Sequence, residues 1–119
     1  MGHTYAVRIY NLHDTSKSLD LDLIVDTGST YTWIKRARLN KLRLKPFGKR
    51  GFRTIKGELI RREVGEAIIE YMSEKATRIV VYAEEEDAEV LGVDALGGLS
   101  LEVDPTTRQL RKSEAMVAL

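Results

Sequence analysis

From position 19 to position 25 the chain reads Leu-Asp-Leu-Asp-Leu-Ile-Val, with Leu19, Leu21, Leu23 and Val25 alternating against Asp20 and Asp22. Successive side chains of a β-strand point to opposite faces, so a period of two demands an extended strand with one face in a core and the other in water. A helix would need its apolar residues at a wider, three-to-four spacing. Ile24 breaks the alternation, and the strand runs apolar on both faces over Leu23-Ile24-Val25 directly into Asp26 and the turn-prone Thr27-Gly28-Ser29. A carboxylate delivered this way is expected where the interior closes.

The same period recurs along the chain. Tyr5, Val7 and Ile9 predict a first strand ending near Asn11, joined to the second by a polar turn over His13 to Ser18. Tyr31 to Ile34 reads as a third strand. Lys35 to Leu42, with Ala37, Leu39 and Leu42 on one face, reads as a short helix ended before Pro46. From Phe52 to Tyr71 strands return around a tight Lys56-Gly57 turn, which predicts a projecting hairpin. Ala67 to Tyr71 and Thr77 to Tyr82 flank a polar turn at Ser73-Glu74-Lys75, and Val90 to Val93 follows an acidic run. Asp94 to Gly98 suggests one helical turn, with Asp94 as its cap, and Leu99 to Val103 alternates again before the Asp104-Pro105 turn. With no repeat or low-complexity linker, residues 1–119 are expected to form a single domain. Its fold class is all-β, closed and barrel-like, with one or two short helices.

Composition narrows the chemistry. The chain has no cysteine, which removes disulfides, thiolate metal ligands and a cysteine nucleophile together. His3 and His13, in a polar stretch, make a poor zinc site and a poor Ser-His-Asp set, so no metal and no cofactor is expected and the chemistry must rest on carboxylates. No apolar run approaches the roughly 18 residues of a membrane span. The start, Met1-Gly2-His3-Thr4, lacks a basic segment followed by an apolar one, so no membrane partner and a cytoplasmic location are expected. The net charge of +1 hides an uneven distribution, since Lys35 to Lys56 carries ten Lys or Arg residues and no acid. Such a block, with Phe47 and Phe52 inside it, is the main signal for nucleic-acid binding. The acids Glu84, Glu85, Glu86, Asp87 and Glu89 offer it partners within the fold or across an interface, and a nucleic-acid partner is not expected. Abundant Glu, Arg and Lys beside only three Asn or Gln residues also fits a heat-adapted protein.

Leu23-Ile24-Val25-Asp26-Thr27-Gly28-Ser29-Thr30, together with the downstream hydrophobic-hydrophobic-Gly element Val90-Leu91-Gly92, resembles the retropepsin-like aspartic proteases over about Tyr5 to Pro105. Asp-Thr-Gly by itself is a short match; the apolar strand ahead of it and Val-Leu-Gly-Val-Asp-Ala-Leu after it give the resemblance its weight. Val93-Asp94 after the glycine looks like the cellular and prokaryotic members, since retroviral enzymes usually place an arginine where this chain has Val93.

The resemblance implies one lobe of an acid protease per subunit, with Asp26 meeting its own copy across a homodimer axis. Two carboxylates about 3 Å apart repel by about 5 kcal/mol at an effective dielectric near 20, enough to keep one protonated while the other is ionised. One then activates water and the other holds the developing oxyanion. Thr27 would brace the two loops across the interface, Ser29 would support Asp26 from outside, and Gly28 would free the turn to adopt backbone angles that a side chain blocks and bring backbone N–H groups close to the carboxylates. The hairpin at Ile55-Lys56-Gly57 resembles the family's flap, and Trp33, Ile34, Phe52, Ile55 and Leu91 are candidate subsite walls. In retroviral relatives the chain ends pair into an interface sheet, for which Met116-Val117-Ala118-Leu119 is apolar enough. The expected partners are the chain itself and a peptide or unfolded-protein substrate. A non-catalytic relative that binds peptide or nucleic acid is the alternative.

Overall fold

A computed structural model of the chain describes residues 3–113, so the Met116 to Leu119 segment lies outside the described residues. The elements run β1 (Thr4–Asn11), β2 (Asp14–Val25), β3 (Thr32–Lys35), α1 (Arg36–Lys41), β4 (Gly48–Arg53), β5 (Leu59–Tyr71), β6 (Glu74–Ala83), β7 (Val90–Leu91), α2 (Val93–Gly98), β8 (Leu101–Val103) and β9 (Leu110–Lys112). The order in the main sheet is β1-β2-β7-β3-β6-β5-β4, and β1 also pairs with β5. β1, β2, β7, β3, β6 and β5 therefore close into a ring, with β4 attached outside it on β5. The expectation of an all-β, closed, barrel-like lobe with two short helices is met.

The alternation in β2 performs as its pattern dictates. Leu21 and Leu23 are buried with Val7 and Ile9 of the antiparallel partner β1, while Asp20 and Asp22 face water and Asp20 accepts two hydrogen bonds from Arg8 at 2.6 and 3.2 Å. Each leucine taken out of water contributes up to about 2 kcal/mol. The core continues through Ile34, Leu39, Ile69, Val80, Leu91 and Leu99. Ile24, on the water-facing side of β2 just ahead of Asp26, is 45% exposed, so the doubly apolar end of the strand is covered on one face only.

Several turns differ from expectation. The β1–β2 connection is Leu12-His13 and β2 already begins at Asp14, so the polar stretch from Asp14 to Ser18 is strand. The buried Asn11 sets this turn: its Oδ1 accepts from the His13 N–H at 2.7 Å and its Nδ2 donates to the Leu42 carbonyl at 2.8 Å. That side chain substitutes for a longer turn. Between β5 and β6 the turn is Met72-Ser73, with φ of 49° and 70°, and Glu74 and Lys75 belong to β6. Two consecutive positive φ values match the right-handed strand twist, and here residues other than glycine adopt them. Leu99 ends α2 as its C-cap, and Leu101–Val103 pairs with Leu110–Lys112 in a separate two-stranded sheet. Asp94 does not cap α2; it forms a two-pronged ion pair with Arg78 at 2.5 and 2.9 Å. No helix among the described residues is long and apolar enough to cross a membrane.

Candidate active site

Asp26 follows the last residue of β2, where the chain leaves a parallel pairing with β7 (Ile24 with Val90, Val25 with Leu91). The Asp26 N–H extends that pairing onto the Leu91 carbonyl at 3.0 Å, and Ser29 N–H closes the turn on the Asp26 carbonyl at 3.1 Å. The Val93 and Asp94 N–H groups at the start of α2 reach back to the Ser29 and Thr30 carbonyls at 2.9 and 2.8 Å. The Gly92 N–H donates to the hydroxyl of the fully buried Thr32 at 3.1 Å. The loop is thus sewn along its length to residues 91–94, and a loop so held keeps its carboxylate in one place.

Glycine is required at position 92, because a Cβ there would sit 2.9 Å from the Ser29 carbonyl oxygen and closer still to the Tyr31 carbonyl. The spacing of Val90-Leu91-Gly92 from the Asp26 loop is therefore a packing constraint. Leu91 fills the core beneath, and Gly92 lets two backbones touch. Gly28 differs from expectation in its backbone, whose φ is not in the left-handed region, while its N–H does approach the Asp26 carboxylate. A Cβ there would lie 3.2 Å from Asp26 Oδ1, which already accepts from the Gly28 N–H at 2.9 Å. The small residue makes room for the carboxylate to fold back onto the backbone. Ser29 does not support Asp26 through its side chain; its hydroxyl donates to the Tyr31 carbonyl at 2.7 Å. Thr27 is exposed and its hydroxyl has no partner among the described residues. Asp26 is itself exposed in the single chain, and Val93 beside it is 45% exposed.

A cleft of about 900 Å³ opens over Asp26, with the β4–β5 hairpin forming its opposite wall. At the hairpin's end, Gly57 N–H donates to the Thr54 carbonyl at 2.9 Å, and Thr54 N–H to the Glu58 carbonyl at 2.8 Å. Gly57 has φ of 86°, so the turn is a three-residue loop with glycine in the left-handed position, one residue longer than a Lys56-Gly57 turn. Ile55 stands fully in solvent at the tip. Of the residues singled out in the sequence, Asp26, Gly28, Ser29, Ile55, Lys56 and Val90 line the cleft, with Trp33 and Phe52 as walls, whereas Ile34 and Leu91 are wholly buried core. Trp33 and Phe52 meet edge to face at 5.0 Å, and Phe52 meets Tyr31 at 6.5 Å.

Sequence reasoning missed Tyr31, Arg50 and the Glu86-Asp87-Ala88 wall. Arg50 lay within the basic block, whose aggregate charge masked its members. Three of its ten cations are engaged inside the fold. Lys35 Nζ donates to the Glu84, Glu85 and Asp87 carbonyls, Arg36 pairs with Glu63 and Glu84, and Arg38 pairs with Glu89. Arg62 on β5 grips Asp87 at 2.6 and 3.0 Å, with side chains only 13% and 11% exposed, and its hydrogen bonds hold the Asp87 carboxyl below the usual carboxylate range. These contacts fix the loop that walls the cleft to the strand that carries the hairpin.

No known family model matches the chain, and no curated protein sequence does. Among solved structures, the solution structure of the Simian foamy virus (mac) protease is similar, with a TM-score of 0.56 and 19% identity over 80% of this chain and 92% of that one. The fold is therefore retropepsin-like: mostly strands, two short helices and a single lobe.

Proposed function

We propose that the chain is an aspartic endopeptidase that works as a C2 homodimer and hydrolyses extended peptides. The observation that carries this reading is Asp26 on a loop pinned to residues 91–94, exposed at the floor of a cleft walled by a projecting hairpin. One aspartate in one lobe is half of an acid–base pair, and a two-fold axis beside Asp26 supplies the other half from the same sequence. The half-exposed Ile24 and Val93 flank Asp26 and are the apolar surface that a second copy would cover. With two Asp26 carboxylates converging, mutual repulsion keeps one proton on the pair. The ionised member accepts a proton from water as that water attacks the peptide carbonyl, and the protonated member donates a hydrogen bond to the oxygen that gains charge. Thr27, whose hydroxyl has no partner among the described residues, would brace the partner loop. The hairpin ending in Ile55, Lys56 and Gly57 acts as the flap, closing over the peptide and excluding water from the reacting carbonyl. Val93-Asp94 after Gly92, where retroviral enzymes usually place an arginine, is the sequence feature that favours the cellular and prokaryotic members over the viral ones.

Incubation of the purified protein with a denatured protein mixture at mildly acidic pH, followed by mapping of the cut sites, tests the reading. Cleavage should disappear in Asp26→Asn while the folded dimer persists, and a pepstatin-type mimic of the tetrahedral intermediate should inhibit the wild type. Cleavage by Asp26→Asn at the wild-type rate would remove the reading. A folded wild type that binds peptides but cuts none at any acidic or neutral pH would assign the fold to peptide binding.

A further inference from the structure

We propose that Arg50 is a specificity-determining residue of the Asp26 cleft, placed to take a carboxylate side chain of the peptide, so that the preferred substrates carry Glu or Asp close to the bond that is cut. The inference deepens the proteolytic reading of Asp26 and rests on it for its kinetic readout. Arg50 lies on β4 and lines the cleft with Asp26. Its Nη1 donates to the Tyr31 hydroxyl at 2.8 Å, and its guanidinium carbon stands 5.4 Å from the centroid of the Tyr31 ring. Tyr31 is itself held, because its carbonyl accepts from Ser29 and its backbone packs against Gly92. Arg50 thus spans from the hairpin's base to the end of the Asp26 loop, with its planar group oriented by a ring before any ligand arrives.

The fold leaves this charge over. Arg50 is directly opposite Arg62 in the β4–β5 register, an arrangement of like charges that weakens a strand pair. Arg62 is neutralised by Asp87 and approached by Glu86, whereas Arg50 has no carboxylate partner among the described residues. The other acids of the cleft do not serve it: Asp87 is committed to Arg62, Glu86 lies on the Arg62 side of that pair, and Glu58 sits at the hairpin's end. A half-buried arginine with one of its five N–H donors on a tyrosine keeps a fork free for a two-pronged bond to a carboxylate, the geometry in which arginine recognition is strongest.

The test uses fluorescein-labelled peptides synthesised in pairs that differ only by Glu or Gln at one position, with each position scanned in turn. For wild type, at least one pair should show about tenfold higher kcat/KM for the Glu member, carried in KM and diminished by salt. Arg50→Gln should remove the difference at that position, Arg50→Lys should retain part of it, and Arg50→Glu should transfer the preference to a Lys-bearing peptide. Inversion by charge reversal is a result that a purely structural role would not give. The same pairs are titrated by anisotropy against Asp26→Asn, with or without the Arg50 changes, to read binding without chemistry. Cleavage with no Glu preference at any position overturns the Arg50 inference and leaves the proteolytic reading standing. If the wild type cuts nothing, the proteolytic reading fails, and the anisotropy arm decides Arg50 alone: a Glu preference lost in Arg50→Gln upholds it, and equal binding of both members overturns it. An Arg50 variant that loses cooperative thermal unfolding is replaced by Tyr31→Phe, which removes the orienting hydroxyl and should lower the Glu preference without abolishing cleavage.

Discussion

Gly92 and Gly28 are both glycines of the candidate site, and they are glycines for unlike reasons. At position 92 an added methyl group would meet backbone on two sides, the Tyr31 and Ser29 carbonyls, neither of which can rotate away. Gly92→Ala is expected to cost about 3 kcal/mol by forced separation of the two segments, and a denaturant titration would show it as a lower midpoint with an unchanged slope. At position 28 the only near neighbour among the described residues is the Asp26 carboxylate itself, 3.2 Å from where the methyl would be. Gly28→Ala is therefore expected to leave stability within about 1 kcal/mol of wild type while disturbing the carboxylate, so catalytic rate falls and the melting temperature barely moves. A loss of stability as large as that of Gly92→Ala would show that position 28 serves the fold instead. Asp26→Asn sits at the far end of this series, an isosteric change that keeps the Oδ1 acceptor for Gly28 N–H and removes the acid.

At the scale of elements, the β4–β5 hairpin has an exposed end and an anchored base, and Arg62 with Asp87 is the anchor. Asp87→Asn leaves a guanidinium that is 13% exposed with only the longer contact to Glu86 at 3.3 Å, and about 2 kcal/mol of stability should be lost. The Asp87 carboxyl is held below its unfolded value, chiefly by the Arg62 hydrogen bonds, so the pair stabilises fully above the unfolded carboxylate range and is lost as pH falls through the depressed folded value. Thermal melts taken down an acid series should show wild type converging on Asp87→Asn at the acid end; curves that stay parallel would exclude this linkage. Gly57, at φ 86°, shapes the turn, and Gly57→Val should strain the hairpin end and raise KM more than it lowers stability. How far such elements could be read from sequence depended on whether their cause is local. The alternation of Leu19 to Val25 placed β2 and its buried face, and Gly57 marked a turn within one residue. The first and third hairpin turns were expected at His13 to Ser18 and Ser73 to Lys75 and lie earlier and shorter, at Leu12-His13 and Met72-Ser73, because what sets them is not composition: a buried Asn11 side chain in the first, and left-handed backbone at residues other than glycine in the second. Among the described residues β9 pairs only with β8, across the Asp104 turn, and its three residues are too few to carry a periodicity. Asp26 and its glycines were legible because motif and backbone need coincide there, whereas Arg50 was hidden by nine cationic neighbours until the cleft and the Tyr31 hydroxyl set it apart.

The whole molecule is a ring of strands whose closure depends on its shortest member. β7 contributes two residues, Val90 and Leu91, yet it joins β2 in parallel on one side and β3, through Trp33 and Val90, on the other. Its flank carries the half-exposed Ile24 and Val93, and this gives the homodimer its test. Ile24→Asp or Val93→Asp should yield a folded monomer by sedimentation and no cleavage, while the wild type should lose activity on dilution in step with dissociation; an active monomer would end the symmetric reading. The ring also dictates an order of assembly. The β1–β2 and β5–β6 hairpins join near neighbours in sequence and can form early, whereas the seam at β7 must bring together segments from distant parts of the chain. We predict that tryptophan fluorescence from Trp33, beside that seam, reports the slowest refolding phase after the hairpins have gained their circular dichroism signal; a simultaneous rise of both signals would contradict this. Until the seam shuts, the loop holding Asp26 has no Leu91 carbonyl to rest on and no Gly92 to lie against, so on the proteolytic reading a half-folded chain carries its carboxylate on an unformed support and cuts nothing.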